Sequence, residues 1–287
     1  MKYAWIEQRR SLFPVTRMCT MLKVSRTGFA QWLVRGPSAR QVANESLDAK
    51  VFAIHQHSGG SYGRPRIVDA LQNASTPATH ERVRKSLLRQ GLRTVHKRPY
   101  RVTTNSNHDH PIAPNLLHQQ FNGWKINRAW VGDITYVHTQ EGWLYLAVII
   151  DLATRQVVGW SMSDRQTTRL VTDALTMAYW RKKPGAKLMM HTDRGSQYAS
   201  KQHVQLLKDY GMQQSMSKRG CCWDNAVAES FFKTLKVERI YQTHYDTKSR
   251  ARLDIVNWIE GFYNAKRLHT AIGSKTPNQM EQTLLAA

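Results

Sequence analysis

The chain has 287 residues and carries 42 lysine and arginine residues against 20 aspartate and glutamate residues, a formal net charge of +22. This charge predicts a polyanionic partner and exceeds what solubility alone requires. The three cysteines include no Cys-x-x-Cys motif, which argues against a disulfide framework and a zinc site. Because the sequence has neither a membrane-length apolar run nor a signal-peptide pattern, we expect a reduced, cytoplasmic setting and no membrane partner.

The positive charge is denser in the first part of the chain. Residues 1–112 hold 19 basic and 6 acidic residues, a net charge of +13, whereas residues 113–287 hold 23 and 14, a net charge of +9. The shorter part therefore has the larger charge. We expect it to provide most of the grip on the polyanion.

The segment 1–36 is predicted to hold two short helices around a turn. Residues 15–33 carry the pattern, and Ser25 is placed to act as the N-cap of the second helix. Arg26, at the start of that helix, could contact a phosphate group. This pattern fits a helix-turn-helix and an ordinary helical hairpin equally well, so both interpretations are open on this segment alone.

A second helical module is predicted over residues 45–95, with helices at 45–57, 67–71 and 81–89 and a helix end at Gly91. It is rich in arginine and lysine, and we expect these side chains to contact phosphates rather than base edges. The candidates for DNA contact in this module are Arg64, Arg66, Arg84 and Lys85. Residues 96–125 are basic, polar and contain prolines, which predicts a linker.

The residues that follow predict an α/β core over 126–240. Strands are expected at 130–138, 143–152 and 156–163, then a helix at 168–181, a strand ending at Asp193, a helix at 199–210 and a strand at 212–217. Three antiparallel strands followed by alternating helices and strands is the RNase H-like order. The predicted fold is thus an RNase H-like core, a mixed five-stranded sheet flanked by helices, preceded by small all-α helix-turn-helix units. Residues 241–287 are predicted to be a C-terminal helical segment, with a helix at 248–265.

Three carboxylates stand out in the core. Asp133 lies inside an apolar strand, Asp193 follows a short apolar run, and Glu229 lies on the polar side of an amphipathic helix. Separately, each fits an ordinary surface or turn residue. A charged aspartate in an apolar strand is costly unless it is compensated, and hard divalent cations compensate such oxygens. Together, the three carboxylates favour a metal site.

The motifs around these carboxylates resemble those of the DDE transposases of bacterial insertion sequences. The resemblance rests on residues 130–136, 191–198 and 223–236, with 35 residues between Asp193 and Glu229, and on residues 263–277. The most similar type is encoded by a second reading frame and has a retroviral-integrase-like core. With the amino-terminal modules, which are similar to those of the same transposases, the resemblance covers nearly the whole chain.

This resemblance implies a metal-dependent chemistry on DNA. Asp133, Asp193 and Glu229 would be the catalytic residues and would bind two Mg²⁺ or Mn²⁺ ions. Water would attack a phosphodiester at the element end, and the freed 3′-hydroxyl would attack a second phosphodiester. Asn225, Lys233 and Lys236, on the same side of the helix as Glu229, would contact DNA. His191 is expected either to support Asp193 or to pack.

The implied partners are double-stranded DNA, at the terminal repeats of the element and at the target, and further copies of the chain on that DNA. The product of an upstream reading frame is a further expected partner. The expected location is the cytoplasm, in association with the nucleoid. Two rival interpretations are open: an RNase H-like nuclease that only hydrolyses, and a non-catalytic DNA-binding protein derived from a transposase.

Overall fold

The computed structural model describes residues 2–95, 111–218 and 222–286. The first half of the predicted linker, 96–110, lies outside the described residues. Cys221 also lies outside them. Within the described ranges, no helix combines the length and the apolar character needed to cross a membrane.

The centre of the molecule is a five-stranded mixed sheet in the order β3-β2-β1-β4-β5. Strands β1, β2 and β3 are antiparallel neighbours, whereas β4 runs parallel to β1 and β5 runs parallel to β4. This arrangement confirms the predicted fold. The strands are β1 (Ala129–Thr139), β2 (Gly142–Asp151), β3 (Val157–Ser163), β4 (Met189–Thr192) and β5 (Gln213–Met216).

The first three strands lie close to their predicted bounds because their local signals are strong. Strand β2 is apolar at almost every residue, since both faces of the sheet are covered: Leu146 and Val148 face one cluster of buried residues, and Ala147 and Ile149 face the other. Gly142, at a φ of +101°, lets the chain reverse between β1 and β2. The hairpin therefore forms where the glycine is.

Helices cover both faces of the sheet. On one face α10 (Ala226–Glu238) packs through apolar residues such as Phe231 and Leu235, and on the other α7 (Thr168–Lys182) packs through residues such as Leu170 and Leu175. A side chain at Gly159 of β3 would clash with the backbone of α7, so this glycine permits the close approach. The core helices are α7 (Thr168–Lys182), α8 (Ser196–Ala199), α9 (Lys201–Asp209) and α10 (Ala226–Glu238).

The helix predicted at 199–210 is present as α9, and a separate short helix, α8, lies immediately ahead of it. Ser200 between them is extended, and its hydroxyl accepts a hydrogen bond from the N–H of His203, which caps α9. The chain therefore turns at Ser200 instead of continuing as one helix.

The amino-terminal helices form two small clusters of their own. Ile6, Met18, Cys19 and Phe29 are buried in the first cluster, and Ser25 caps α3 as predicted, by accepting from the N–H of Gly28. The second cluster joins α4, α5 and α6, and it also includes Leu268 from the end of the chain. The helices are α1 (Lys2–Arg9), α2 (Val15–Met21), α3 (Arg26–Val34), α4 (Ala39–His57), α5 (Arg64–Asn73) and α6 (His80–Arg89).

The C-terminal segment differs in detail from the helix predicted at 248–265. Helix α11 (Lys248–Val256) continues into a π-helical segment, Asn257–Asn264, which turns Trp258, Ile259 and Tyr263 into the core. A further helix, α12 (Pro277–Leu285), begins at a capping box made by Thr276 and Gln279.

Candidate active site

Asp133 lies on β1 at the point where the pairing with β4 ends, because the register of those two strands runs from Ala129 to Gly132. It is half-buried, and its Oδ1 accepts a hydrogen bond from the N–H of Ile134 at 2.8 Å. Burial, and then the negative charge of Asp193, raise the pKa of Asp133 well above its usual range. The site therefore concentrates negative charge where little solvent reaches it.

Asp193 follows the last residue of β4, so neighbouring strands bring it beside Asp133. Its Oδ1 accepts a hydrogen bond from the N–H of Gly195 at 2.9 Å, which fixes the carboxylate at the start of α8. The buried ring of Tyr198 lies near both aspartates: burial raises the pKa of its hydroxyl, and the charges of Asp133 and Asp193 raise it further. The two aspartates and the tyrosine form one compact group.

Glu229 lies on the first turn of α10, toward solvent. Its charge contributes to the raised pKa of Asp133, and partial burial raises its own pKa. Glu229 and Lys233 line one surface pocket together with Trp223, Ala226 and Ser230. Among the described residues, no three His, Cys, Asp or Glu side chains are grouped closely enough to hold a metal ion. Asp133 and Asp193 are thus close to each other, and Glu229 lies farther from them, toward the solvent.

Lys236 lies two turns after Glu229 and reaches the same region. Its ammonium group is 4.8 Å from the centroid of the Tyr136 ring, and it interacts electrostatically with Asp133. Burial lowers the pKa of Lys236, and the charge of Asp133 opposes that shift. The helix therefore brings a cation to the aspartate pair.

Asn225 is buried immediately before α10. Its Nδ2 donates a hydrogen bond at 3.1 Å to the carbonyl oxygen of Gly132, the residue immediately before Asp133. Among the described residues its buried Oδ1 has no hydrogen-bond partner. This geometry joins the start of α10 to β1 and supports a positioning role for Asn225, whereas it lends no support to the predicted contact with DNA.

His191 is buried on β4 and its two ring nitrogens lie near the hydroxyls of Ser215 (2.8 Å) and Ser217 (3.3 Å). Burial lowers its pKa to about 4, so the ring is neutral near pH 7. These contacts favour packing, one of the two roles expected for His191.

Asp224 was missed by the sequence analysis. It is buried, and its carboxylate accepts hydrogen bonds from Asn115 Nδ2 and Gln119 Nε2, both at 2.8 Å, and from the N–H of Lys218 at 2.7 Å. It thereby attaches the segment ahead of β1 to the start of α10. The only local signal is an aspartate just ahead of a helix, which commonly indicates a cap.

The basic residues predicted to contact DNA lie on the amino-terminal helices. Arg26 and Arg64 are exposed, at the first residues of α3 and α5. Arg84 and Lys85 are exposed and pair with Glu81, whereas Arg66 pairs with Glu238 at the end of α10. These basic residues thus lie on other elements of the fold than Asp133, Asp193 and Glu229 do. The contact of the basic residues with DNA stays a prediction.

The mixed five-stranded sheet carries aspartates at the adjoining ends of β1 and β4, and a helix packed against the sheet carries a glutamate. This arrangement defines an integrase-type polynucleotidyl transferase. The family model described as integrase core domain matches residues 125–222, and a second model of that description matches residues 210–277. A model described as HTH-like domain matches residues 42–100. The sequence is 43% identical over 288 residues to the transposase InsF for insertion sequence IS3A of Escherichia coli strain K12, covering 100% of both chains.

The chain therefore belongs to the family of insertion-sequence transposases that includes InsF, and it is a DNA transposase of the DDE type with an RNase H-like core. It is also 39% identical to the insertion element IS600 uncharacterized 31 kDa protein of Shigella sonnei, over 91% of this chain and 96% of that one. The HTLV-2 integrase catalytic core domain in complex with magnesium aligns with a TM-score of 0.43 and 18% identity, over 55% of this chain and 99% of that one.

Proposed function

We propose that the transposase cleaves DNA at the ends of an insertion sequence and joins the freed strand, using Asp133, Asp193 and Glu229 as ligands for two divalent ions, Mg²⁺ or Mn²⁺. The observation that carries this proposal is the pairing of Asp133 and Asp193 at adjoining strand ends, where burial and the charge of Asp193 raise the pKa of Asp133. A divalent cation relieves both effects, and carboxylate oxygens are the donors that such hard ions prefer.

The donor chemistry of these residues suits such ions, since all three are carboxylates, although Glu229 stands farther out than the aspartate pair. Asp133 and Asp193 supply two converging carboxylates from adjoining strand ends, and Glu229 adds a third from α10. When bound, two divalent ions activate the attacking hydroxyl group and stabilise the leaving oxygen. Asn225 fixes the backbone ahead of Asp133, and the N–H of Gly195 orients Asp193.

Lys236 is the residue that would hold the DNA phosphate at this site. An ammonium group cannot ligate a metal ion while it is protonated, but it binds a phosphate oxygen as a point charge. Its place beside Asp133 and above the Tyr136 ring supports this role. Lys233, exposed beside Glu229, would contact the DNA farther from the reacting phosphate.

The DNA partners are the terminal repeats of the element and the target DNA. Arg26, Arg64, Arg84 and Lys85 would contact phosphates on the amino-terminal helices, and the charge of +22 supports this grip. We further propose that several copies assemble on the DNA, that the product of an upstream reading frame takes part, and that the protein works at the nucleoid.

The test is an incubation with candidate inverted-repeat DNA and Mg²⁺ that scores both cleaved and joined strands. Asp133→Asn, Asp193→Asn and Glu229→Gln should each abolish both products and keep DNA binding, since each removes an anionic ligand at nearly constant size. Asp173→Asn is the matched control, because Asp173 is an exposed carboxylate on α7. Full activity in one of the three variants removes that residue from the site, and cleavage without joining favours the purely hydrolytic nuclease.

A further inference from the structure

Beyond Asp133, the β1–β2 hairpin carries three aromatic side chains on one face of the sheet. Tyr136 and His138 lie two residues apart on β1, and Trp143 lies directly opposite His138 on β2. We refer to Tyr136, His138 and Trp143 as the aromatic strip. Trp143 is 47% exposed, His138 is exposed and Tyr136 is half-buried, so the strip is a surface feature.

The strip is held in a fixed arrangement by contacts among its own rings. The ring centroids of Tyr136 and Trp143 are 4.9 Å apart at an interplanar angle of 88°, and those of His138 and Trp143 are 5.2 Å apart at 78°. Edge-to-face contacts of this kind are favourable and restrict the side-chain rotamers. An exposed indole held this way would lose little conformational entropy on binding a planar ligand.

Lys236 connects the strip to the candidate active site. Its ammonium group lies over the Tyr136 ring and interacts with the carboxylate of Asp133. The side chains of Asp133 and Tyr136 belong to opposite faces of β1, and Lys236 can reach both because β4 pairs with β1 only as far as Gly132. A strand of DNA with a phosphate at Lys236 would therefore continue across this edge toward the strip.

The distances suit a DNA strand. At about 3.3 Å per residue, Tyr136 is ~10 Å and His138 ~17 Å along β1 from Asp133. These lengths correspond to a few nucleotides from a phosphate bound at the aspartates. The hairpin's own carboxylate, Glu141, accepts a hydrogen bond from the backbone N–H of Lys248 and so has a partner within the protein.

We propose that the aromatic strip is a stacking platform for an unpaired base of the DNA strand whose phosphate is held at Lys236, with Trp143 as the principal stacking residue. The proposal rests on the proposed function for its substrate class and adds a prediction about strand state. A base inside a duplex is stacked on its neighbours, so the platform binds DNA whose end is frayed or single-stranded. Aromatic faces combined with a nearby cation are the features by which proteins bind single strands without sequence preference.

The test compares a blunt duplex with the same duplex carrying a short single-stranded extension on either strand. Binding is measured in the presence of a chelator, so the result does not depend on whether Asp133, Asp193 and Glu229 hold metal ions. Trp143→Ala should weaken binding of the extended duplex about tenfold, the typical loss of one stacked base, and leave the blunt duplex unchanged. Trp143→Phe, which keeps a ring, should remain close to wild type.

Two further measurements separate stacking from other causes. Trp180→Ala is the matched control, since Trp180 is an exposed tryptophan that packs edge-to-face on Tyr179 of α7, and it should bind both DNAs like wild type. The salt dependence of binding should not change in Trp143→Ala, because the indole carries no charge. A fluorescent base analogue in the extension should be quenched by wild type and by Trp143→Phe but not by Trp143→Ala.

Unchanged binding of the extended duplex by Trp143→Ala overturns the proposal. An equal loss on the blunt and extended duplexes also overturns it, because that result indicates a duplex contact or a structural effect. Failure of the proposed metal site appears separately, as retained cleavage in the variants of Asp133, Asp193 or Glu229, and leaves this binding test readable.

Discussion

Arg267 and Glu238 form a buried ion pair with two parallel hydrogen bonds, Nε to Oε2 at 2.8 Å and Nη2 to Oε1 at 2.7 Å. Their side chains are only 4% and 9% exposed. Glu238 is the last residue of α10, the helix of Glu229 and Lys236, and Arg66 of the second helical module contacts it as well, at 3.4 Å. One carboxylate therefore joins the candidate catalytic helix, the C-terminal segment and that module.

We expect Arg267→Met to destabilise the protein by about 3–5 kcal/mol, because it leaves Glu238 charged and buried without its main partner. Arg250→Met is the control: Arg250 pairs with Asp246 at the surface, where such pairs contribute about 0–1 kcal/mol. Denaturant unfolding of both variants measures the difference. Equal stabilities would show that the buried pair contributes no more than a surface pair.

Lys236→Ala should weaken cleavage at the element end while the fold is retained. Loss of one phosphate contact lowers the slope of log affinity against log salt by roughly one unit. Lys208→Ala, which removes an exposed lysine from α9, is the control for the change in net charge. Affinity measured over a salt series gives the slope. Wild-type cleavage with an unchanged slope would show that this side of α10 does not meet DNA.

Asp224→Asn should lower stability by about 1–3 kcal/mol and reduce cleavage. Asn115 Nδ2 and the N–H of Lys218 donate to one carboxylate oxygen and Gln119 Nε2 donates to the other, so the NH2 group of the amide would face a donor in either orientation. Asp209→Asn is the control, since Asp209 is exposed on α9 and accepts a hydrogen bond from Gln205 at the surface. Thermal unfolding and a cleavage assay measure the two effects, and wild-type values in both would contradict the role given to Asp224.

His203 should make the protein sensitive to acid. Burial lowers its pKa from 6.5 to about 4 in the folded protein. Between these two pKa values the unfolded chain binds more protons at His203 than the folded chain does. The contribution of neutral His203 to the free energy of unfolding is therefore fully present above pH 6.5 and decreases as the pH falls toward 4. The expected loss is about 3 kcal/mol.

His203→Phe removes this titration and keeps a ring against Tyr198. Denaturant unfolding at pH 7 and near pH 4 should show a smaller loss for the variant than for wild type. The same loss in both proteins would assign the acid sensitivity to other groups.

The sheet could be predicted from the sequence because its signals are local. The apolar run of β2 and the turn at Gly142 specify strands without knowledge of the rest of the fold. By contrast, the π-helical segment depends on contacts with distant residues of the core.

The candidate site was predictable to a similar extent. The types and spacing of Asp133, Asp193 and Glu229 are visible in the sequence. The partner of Asn225 is Gly132, about 90 residues earlier in the chain. Two of the three donors to Asp224 lie about 100 residues earlier, and the third is in the loop before α10. No periodic pattern in the sequence indicates these contacts.

The second helical module packs against the C-terminal segment, and this contact limits how the module can be exchanged between related transposases. The Tyr62 hydroxyl accepts from the N–H of Leu268 at 2.7 Å and donates to the carbonyl of Lys266, and Ser274 donates to Asp69. A chimaera that receives this module from another transposase would meet a foreign C-terminal segment at every one of these contacts. The two segments, about 200 residues apart in the chain, form one structural unit and should be transplanted together.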